Sequence, residues 1–190
     1  MVKIHAGAKL TPSFRDFLPV WVASRPWYRG NGALWPIGFF RFEDPAGQVG
    51  VETHLLQDGP VVYQVPLTYR SAPLAGGALV TTAEHSVLGT RWIYDAVTDP
   101  VWIAAILDLV ATGGVSDSAA RSGFGPVVAR GAVIRPVRLT PETAVIDLDR
   151  RIVPGTPPGD AVGVVNGSWY QDGVEKSGRL AVIRQTGPKT

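Results

Sequence analysis

The stretch that decides the fold runs from His85 to Gly113 and reads HSVLGTRWIYDAVTDPVWIAAILDLVATG. Its second half has the signals of a helix: Asp99 caps the first turn, and Pro100 suits the first helical position. Gly113 suits the left-handed conformation that ends a helix. Between these signals nearly every residue is apolar, and Asp108 carries the only charge. Because a helix without a polar face has to be covered on most sides, the pattern predicts one long buried helix.

Composition places the chain among globular proteins and excludes several functions. Its 190 residues are 45% hydrophobic and 18% charged, which fits one domain, 1–190, with a sizeable core. The net charge is only +2 and the basic residues are scattered, so we expect no nucleic-acid partner. There is no cysteine, hence no disulfide and no thiolate site. No apolar run approaches the roughly 18 residues of a membrane span, which predicts a cytoplasmic protein without a membrane partner.

Outside the helix, the pattern predicts about seven strands, most of them joined by hairpins. They are expected at 34–42, 50–56, 61–67, 127–139, 144–150, 162–170 and 175–184, with a further short edge strand at 2–5. The dipeptides Asp58-Gly59 and Asp172-Gly173 are typical of two-residue hairpin turns. The Pro- and Gly-containing segment 71–83 reads as a surface loop. Strands joined by hairpins and packed on a helix make an α+β domain with a mostly antiparallel sheet.

Two further segments qualify this fold. Phe14, Phe17 and Trp21 are spaced for one face of an N-terminal helix, but Pro19 lacks the backbone donor that a helix interior needs. We therefore expect a short helix broken into two pieces. Residues 115–125, VSDSAARSGFG, have the composition of a flexible linker.

The candidate ligand or partner surface combines arginines with aromatic side chains. Flat aromatic rings beside guanidinium groups suit stacking on a sugar ring, or cation–π contacts inside the protein. Both interpretations are open, since tryptophans in a small domain also complete the core. We expect these residues to converge on one side of the sheet. They are Arg25, Trp27, Tyr28, Arg29, Arg91 and Trp92.

Two histidine–carboxylate pairs are weaker acid–base candidates. If Asp58-Gly59 forms a two-residue turn, Glu52 and His54 share a face of their strand, with His54 opposite Tyr63. Glu84 and His85 form the second pair. Such groups carry out acid–base chemistry when the fold brings them together, and otherwise they form a polar sheet face and a turn cap. Three histidines without metal-ligand spacing predict no metal site.

Three segments resemble the N-terminal cap domain of actinobacterial maltokinases: LPVWVASRPWYRGNG (18–32), YQVPLTY (63–69) and YDAVTDPVWIAAILDLV (94–110). After them the chain continues into NGSWYQDGVEKSGRLAVIRQTG and not into kinase lobes, so it resembles the stand-alone cap-like proteins of actinobacteria. The resemblance implies a cystatin- or monellin-like fold, an antiparallel sheet with a helix against it. It also implies no catalytic residue, because the cap of the kinases carries none.

The kinase activity itself is not expected here. The chain has no G-x-x-x-x-G-K-[ST] loop, no kinase catalytic loop and no metal-binding D-F-G motif, so we expect no cofactor. The expected function is that of a non-catalytic, cap-like binding or accessory domain in α-glucan, maltose or trehalose metabolism. Its expected partner is a kinase-like or glucan-metabolising protein, or an oligosaccharide. The alternatives are a carbohydrate-binding module with an aromatic platform and, last, a small enzyme with a Glu/His site.

Overall fold

The computed structural model describes residues 7–118 and 126–186, and within these ranges the chain forms two helices and eleven strands. The helices are α1 (Phe14–Ala23) and α2 (Pro100–Ala111). The strands are β1 (Leu10–Thr11), β2 (Trp35–Phe42), β3 (Gly50–Asp58), β4 (Val61–Arg70), β5 (Ala78–His85), β6 (Gly89–Asp95), β7 (Asp117–Ser118), β8 (Val128–Val133), β9 (Ala144–Val153), β10 (Gly163–Gln171) and β11 (Val174–Gln185). The edge strand expected at 2–5 and part of the expected linker, 119–125, lie outside the described residues.

All strand pairings in the described ranges are antiparallel, which confirms the predicted α+β character. One sheet has the order β7-β2-β3-β4-β6-β5-β1, and the second has the order β8-β10-β11-β9. The two join where Tyr63 of β4 pairs with Arg151 of β9. Most of β9 pairs with β11 in the second sheet, and its residue Arg151 pairs with the first sheet. Strand β9 therefore belongs to both sheets.

The first sheet is covered on both faces. Helix α1 lies on one face, where it builds what we call the first core, with Phe17, Leu18, Val22, Leu56, Tyr63, Val65, Leu67 and Ile93. On the other face lie α2 and the second sheet, which build the central core together with Phe40, Val51 and Leu55. This double cover explains why every residue of β4 from Val62 to Thr68 is buried.

Helix α2 confirms the expectation from its sequence. Asp99 accepts a hydrogen bond from the amide of Val101 at 2.9 Å, and Pro100 stands at the start of the helix. Gly113, just after the helix, has a φ of +61°. The side chains that α2 buries in the central core are Trp102, Ile106, Leu107, Leu109 and Val110.

The expectation of a broken N-terminal helix was wrong. Helix α1 runs without interruption through Pro19, which costs it one backbone hydrogen bond. Its apolar face is buried in the first core, and this burial outweighs the missing bond. At its start, the carboxylate of Asp16 accepts hydrogen bonds from the amide and the hydroxyl of Ser13, at 2.8 and 2.7 Å.

The strand count of about seven was also wrong, because the described residues form four more. Strands β1 and β7 are two residues long, too short for any periodicity to reveal. Strand β5 overlaps the second part of the surface loop expected at 71–83. Strand β6 contains Trp92, Ile93 and Tyr94, residue types that favour strands. The predicted strands 127–139 and 144–150 do not form a hairpin with each other, since β8 pairs with β10 and β9 pairs with β11.

The turn after β3 differs from its predicted position. Gly59 and Pro60 form the turn, and Asp58 remains in the strand opposite Val61. Asp58 is buried, and its carboxylate accepts a hydrogen bond from the amide of Asn31 at 2.9 Å, which holds it in place. His54 is therefore opposite Val65 and not opposite Tyr63. The last hairpin forms as predicted: Asp172 and Gly173 both have positive φ between β10 and β11.

Candidate functional site

The structure does not bring together the two arginine–aromatic segments, residues 25–29 and 91–92. Ile93 of β6 is buried in the first core, on the face of the sheet where Trp27 also packs. Successive strand residues point to opposite faces, so Trp92 lies on the other face, directly across from Arg70 of β4. Arg91 shares the face of Ile93, but its guanidinium donates to the carbonyl of Leu88 within the β5–β6 turn. The six residues expected on one surface are divided between the two sides of the sheet.

Trp21 and Trp27 are half-buried and make aromatic and cation–π contacts within the protein. The ring of Trp27 lies 6.1 Å from the ring of Trp21 and 6.2 Å from that of Tyr63, centre to centre. The guanidinium of Arg150 lies 5.0 Å from the Trp27 ring, and that of Arg25 lies 4.9 Å from the Trp21 ring. Guanidinium groups of the chain itself therefore occupy positions where a sugar ring would stack.

Tyr28 and Arg29 stabilise the loop that follows α1. The hydroxyl of Tyr28 donates to Asp58, and it accepts a hydrogen bond from the amide of Gly32 at 2.6 Å. Burial and the Asp58 carboxylate raise the pKa of Tyr28. The side chain of Arg29 donates to the backbone carbonyls of Pro26 and Tyr28. Both residues serve the local structure of the loop.

Glu52, His54 and Tyr69, which we call the polar cluster, meet on the first sheet beneath α1. Nε2 of His54 lies 3.4 Å from a carboxylate oxygen of Glu52 and 3.1 Å from the hydroxyl of Tyr69. The rings of Phe14 and Phe39 lie 5.0 and 5.3 Å from the imidazole of His54. His54 is only 2% exposed. The predicted shared face of Glu52 and His54 exists, and the structure adds a phenol to it.

The electrostatics of the polar cluster determine the protonation states of Glu52 and Tyr69. Burial alone would raise the pKa of Glu52, but His54 and the guanidinium of Arg41 lower it below its ordinary value. Burial and the Glu52 carboxylate raise the pKa of Tyr69 well above its ordinary value. At neutral pH Glu52 is therefore a carboxylate, and Tyr69 is a phenol that donates to it.

The second histidine–carboxylate pair lies elsewhere. Strand β5, which carries Glu84 and His85, is three strands away from β3 in the first sheet. Glu84 accepts a hydrogen bond from the hydroxyl of Thr90 at 2.6 Å. Nδ1 of His85 accepts hydrogen bonds from the amides of Val87 and Leu88, at 3.2 and 3.1 Å. These contacts serve the β5–β6 turn, and the two pairs do not form one site.

A groove opens beside the polar cluster at the β2–β7 edge of the first sheet. It has a volume of about 280 Å³ and is lined by Arg41, Phe42, Glu43, Val115, Ser116 and Asp117. Arg41 is only 9% exposed, and its Nε has no hydrogen-bond partner among the described residues. The sequence analysis missed Arg41 and Tyr69. Their positions follow only from the strand register, which sets Arg41 opposite Glu52.

Neither a metal-binding cluster nor a membrane-spanning helix is found among the described residues. No group of three or more histidine or acidic side chains there is placed to hold a metal ion. In the same part of the chain, neither helix has the length and apolar character that crossing a membrane requires.

Comparison with known proteins finds one family model that matches part of this chain. The model of the family described as maltokinase N-terminal cap domain matches residues 21–99. This range begins inside α1, ends just before α2, and contains the polar cluster, Trp27 and Arg41. The comparison with curated proteins gives no match. Over residues 21–99, somewhat under half of its length, this chain carries a domain similar to the N-terminal cap of maltokinases.

Proposed function

We propose that this chain is a non-catalytic, cap-like binding domain associated with α-glucan, maltose or trehalose metabolism, acting in the cytoplasm. The observation that carries the proposal is the match of residues 21–99 to the maltokinase N-terminal cap domain. The cystatin- or monellin-like shape that the resemblance implies is part of the same proposal. A domain of this kind contributes recognition, and another part of an enzyme supplies the phosphoryl-transfer groups.

The surroundings of the acid–base candidates support binding over catalysis. A general acid or base has to come within hydrogen-bond reach of the substrate proton. His54 is 2% exposed, and the rings of Phe14 and Phe39 pack against it. Glu84, the carboxylate of the second acid–base pair, belongs to a different part of the sheet. A small enzyme built on Glu52, His54 and Glu84 is therefore the least supported alternative.

The proposed partner is a kinase-like or glucan-metabolising protein, or an α-linked oligosaccharide. The family description names the cap as part of a maltokinase, and this supports a partner from sugar metabolism. A carbohydrate-binding module with an aromatic platform is the second candidate. The exposed ring of Trp35 favours it, because 64% of this residue is accessible, whereas Trp21 and Trp27 already contact guanidinium groups.

The proposal is tested with the purified full chain in two parallel measurements. Isothermal titration with maltose, trehalose and maltotriose measures sugar binding, and cellobiose, a β-linked disaccharide, is the control. A coupled assay with ATP, Mg²⁺ and maltose measures ADP formation. We expect saturable binding of at least one α-linked sugar and no ADP. Sustained ADP formation at a rate proportional to the protein concentration would overturn the non-catalytic assignment.

A further inference from the structure

Three charged residues stand in a row across the edge of the first sheet. Arg41 of β2 is directly opposite Glu52 of β3 on one side and Asp117 of β7 on the other. Residues directly opposite each other in antiparallel strands project from the same face. Glu43, just after the end of β2, lines the same groove as Arg41 and Asp117. One guanidinium therefore lies among three carboxylates at the rim of the sheet.

Arg41 is held in this row without forming an ion pair of its own. None of the ion pairs within the described residues includes it. The carboxylate of Glu52 is close enough for Arg41 to lower its pKa, so the buried positive charge is compensated. His54 and Tyr69 hold Glu52 from the other side. The buried Nε of Arg41 still has no acceptor among the described residues.

Buried polar groups in folded proteins nearly always have a partner, and the Nε of Arg41 is one of several buried side-chain atoms without one among the described residues. Arg41 lines the groove of about 280 Å³ described above. The groove also exposes the carboxylates of Glu43 and Asp117, which act only as acceptors. The groove therefore offers both donors and acceptors, with the carboxylates in excess.

This lining selects among classes of ligand. Two carboxylates repel phosphate and other anions, although the guanidinium alone would attract them. The described residues offer no cluster of three ligands for a metal ion. A hydroxyl group donates one hydrogen bond and accepts two, so a polyol satisfies a guanidinium and two carboxylates at once. The volume is near the lower end for small-molecule pockets, roughly 300 Å³, which suits a single sugar unit.

We propose that the groove between Arg41, Glu43 and Asp117 binds one unit of a neutral sugar, with Arg41 donating to its hydroxyl groups and the carboxylates accepting from them. The class of ligand follows from the lining, and only the choice of an α-linked sugar rests on the proposed function.

The test titrates maltose into the full chain and its variants, followed by isothermal calorimetry. The two variants, Glu43→Gln and Asp117→Ala, change exposed side chains, and an unchanged melting temperature confirms that they fold. The control is Asp108→Asn, which alters an exposed carboxylate on α2 away from the groove. We expect each groove variant to weaken maltose binding about tenfold, the effect of losing one hydrogen bond to a charged group. The control binds like the wild type.

Other outcomes overturn the proposal, and they differ from those that overturn the proposed function. If maltose binds the wild type and both groove variants equally, the groove is not the site, although sugar binding stands. If Trp35→Ala abolishes maltose binding and the groove variants do not, the aromatic platform is the site. If inorganic phosphate or Ca²⁺ alone binds with a dependence on Asp117, the ligand class is wrong. If no sugar binds, the groove proposal fails, and the proposed function then depends on a protein partner.

Discussion

Arg70 and Asp99 form a two-pronged ion pair that ties strand β4 to the first turn of helix α2. Nε of Arg70 lies 2.6 Å from one carboxylate oxygen of Asp99, and Nη2 lies 2.7 Å from the other. Asp99 is fully buried, and it also accepts hydrogen bonds from the hydroxyl of Thr68 and the amide of Val101. Burial alone would raise the pKa of Asp99, but these bonds outweigh it, and the pKa lies below its ordinary value.

The substitution Asp99→Asn keeps a residue that caps helices well, but it removes the charge and replaces one acceptor oxygen by an NH2 donor. It leaves the Arg70 guanidinium without its counter-charge at a partly buried position, so we expect the free energy of unfolding to fall by about 3 kcal/mol. Urea unfolding at pH 7 measures the change. The control is Asp108→Asn on the exposed side of the same helix, which should shift stability by less than about 0.5 kcal/mol. Equal effects of the two variants would contradict the role of the pair.

Acidification should destabilise the protein through the buried carboxylates. Asp99 and the buried Asp44 both have a pKa below the ordinary value. Burial alone would raise the pKa of Asp44, but hydrogen bonds from the amides of residues 46, 48 and 49 lower it by more. A carboxyl whose pKa is lower in the folded state stabilises the fold above its unfolded pKa, about 3.9, and this contribution is lost as pH falls through the folded pKa. Urea unfolding across this range should show falling stability on acidification, with a smaller fall in Asp99→Asn. Parallel curves for both proteins would contradict the assignment.

The burial of α2 predicts the effect of emptying its central position. Ile106 is 3% exposed in the central core, so Ile106→Ala should lower the free energy of unfolding by about 2–5 kcal/mol. Chemical denaturation measures the loss. The matched control is Ala104→Ser, at an exposed position of the same helix. A loss below about 0.5 kcal/mol for Ile106→Ala would mean that α2 is not embedded.

Trp27, which is half-buried, and Trp35, which is exposed, are expected to contribute differently to stability. Trp27 contacts Trp21, Tyr63 and Arg150, so Trp27→Ala should cost about 2 kcal/mol of stability. Trp35 is 64% exposed, and Trp35→Ala should change stability by less than about 0.5 kcal/mol. Thermal unfolding of both variants, followed by circular dichroism, gives the comparison. The internal assignment of Trp27 fails if its variant is as stable as the wild type.

Nucleotide should not bind, since the sequence carries none of the motifs that hold ATP and Mg²⁺. We expect the melting temperature to be unchanged by millimolar ATP and Mg²⁺, because only a ligand that binds the folded state raises it. Differential scanning fluorimetry measures this, and maltose under the same conditions is the comparison. A reproducible increase with ATP, accompanied by ADP release, would contradict the expectation.

Strong local signals were enough to predict several elements. The cap at Asp99, Pro100 and the glycine after α2 defined the helix, because each acts on the backbone within a few residues of itself. The Asp172-Gly173 turn was predicted for the same reason. Elements that depend on distant partners were missed: β7 has only two residues, and its pairing with β2 provides its only definition as a strand. Pro19 failed as a helix breaker because the tertiary burial of α1 outweighs a local preference.

The candidate site was predicted in part. Alternation along β3 was sufficient to place Glu52 and His54 on one face. Their neighbours Arg41 and Tyr69 come from the two flanking strands, and finding them requires the register of both pairings. A one-residue shift of the turn to Gly59-Pro60 was enough to replace Tyr63 by Val65 opposite His54. The same alternation places Trp92 and Arg91 on opposite faces of β6. The similar composition of the two arginine–aromatic segments does not reveal this separation.

The central core has a consequence for the order in which the chain folds during synthesis. Its apolar side chains on β2 and β3, Phe40, Val51 and Leu55, pack with Val165 and Ile183 from the second sheet. A nascent chain that has emerged only as far as β7 holds α2 and the hairpins of the first sheet, but it lacks the second sheet's part of this cover. The ribosome adds residues at about 5–20 per second, so this face stays partly uncovered for several seconds. Apolar surface that is exposed in this way makes partly folded chains prone to aggregate, which is the general reason that chaperones exist.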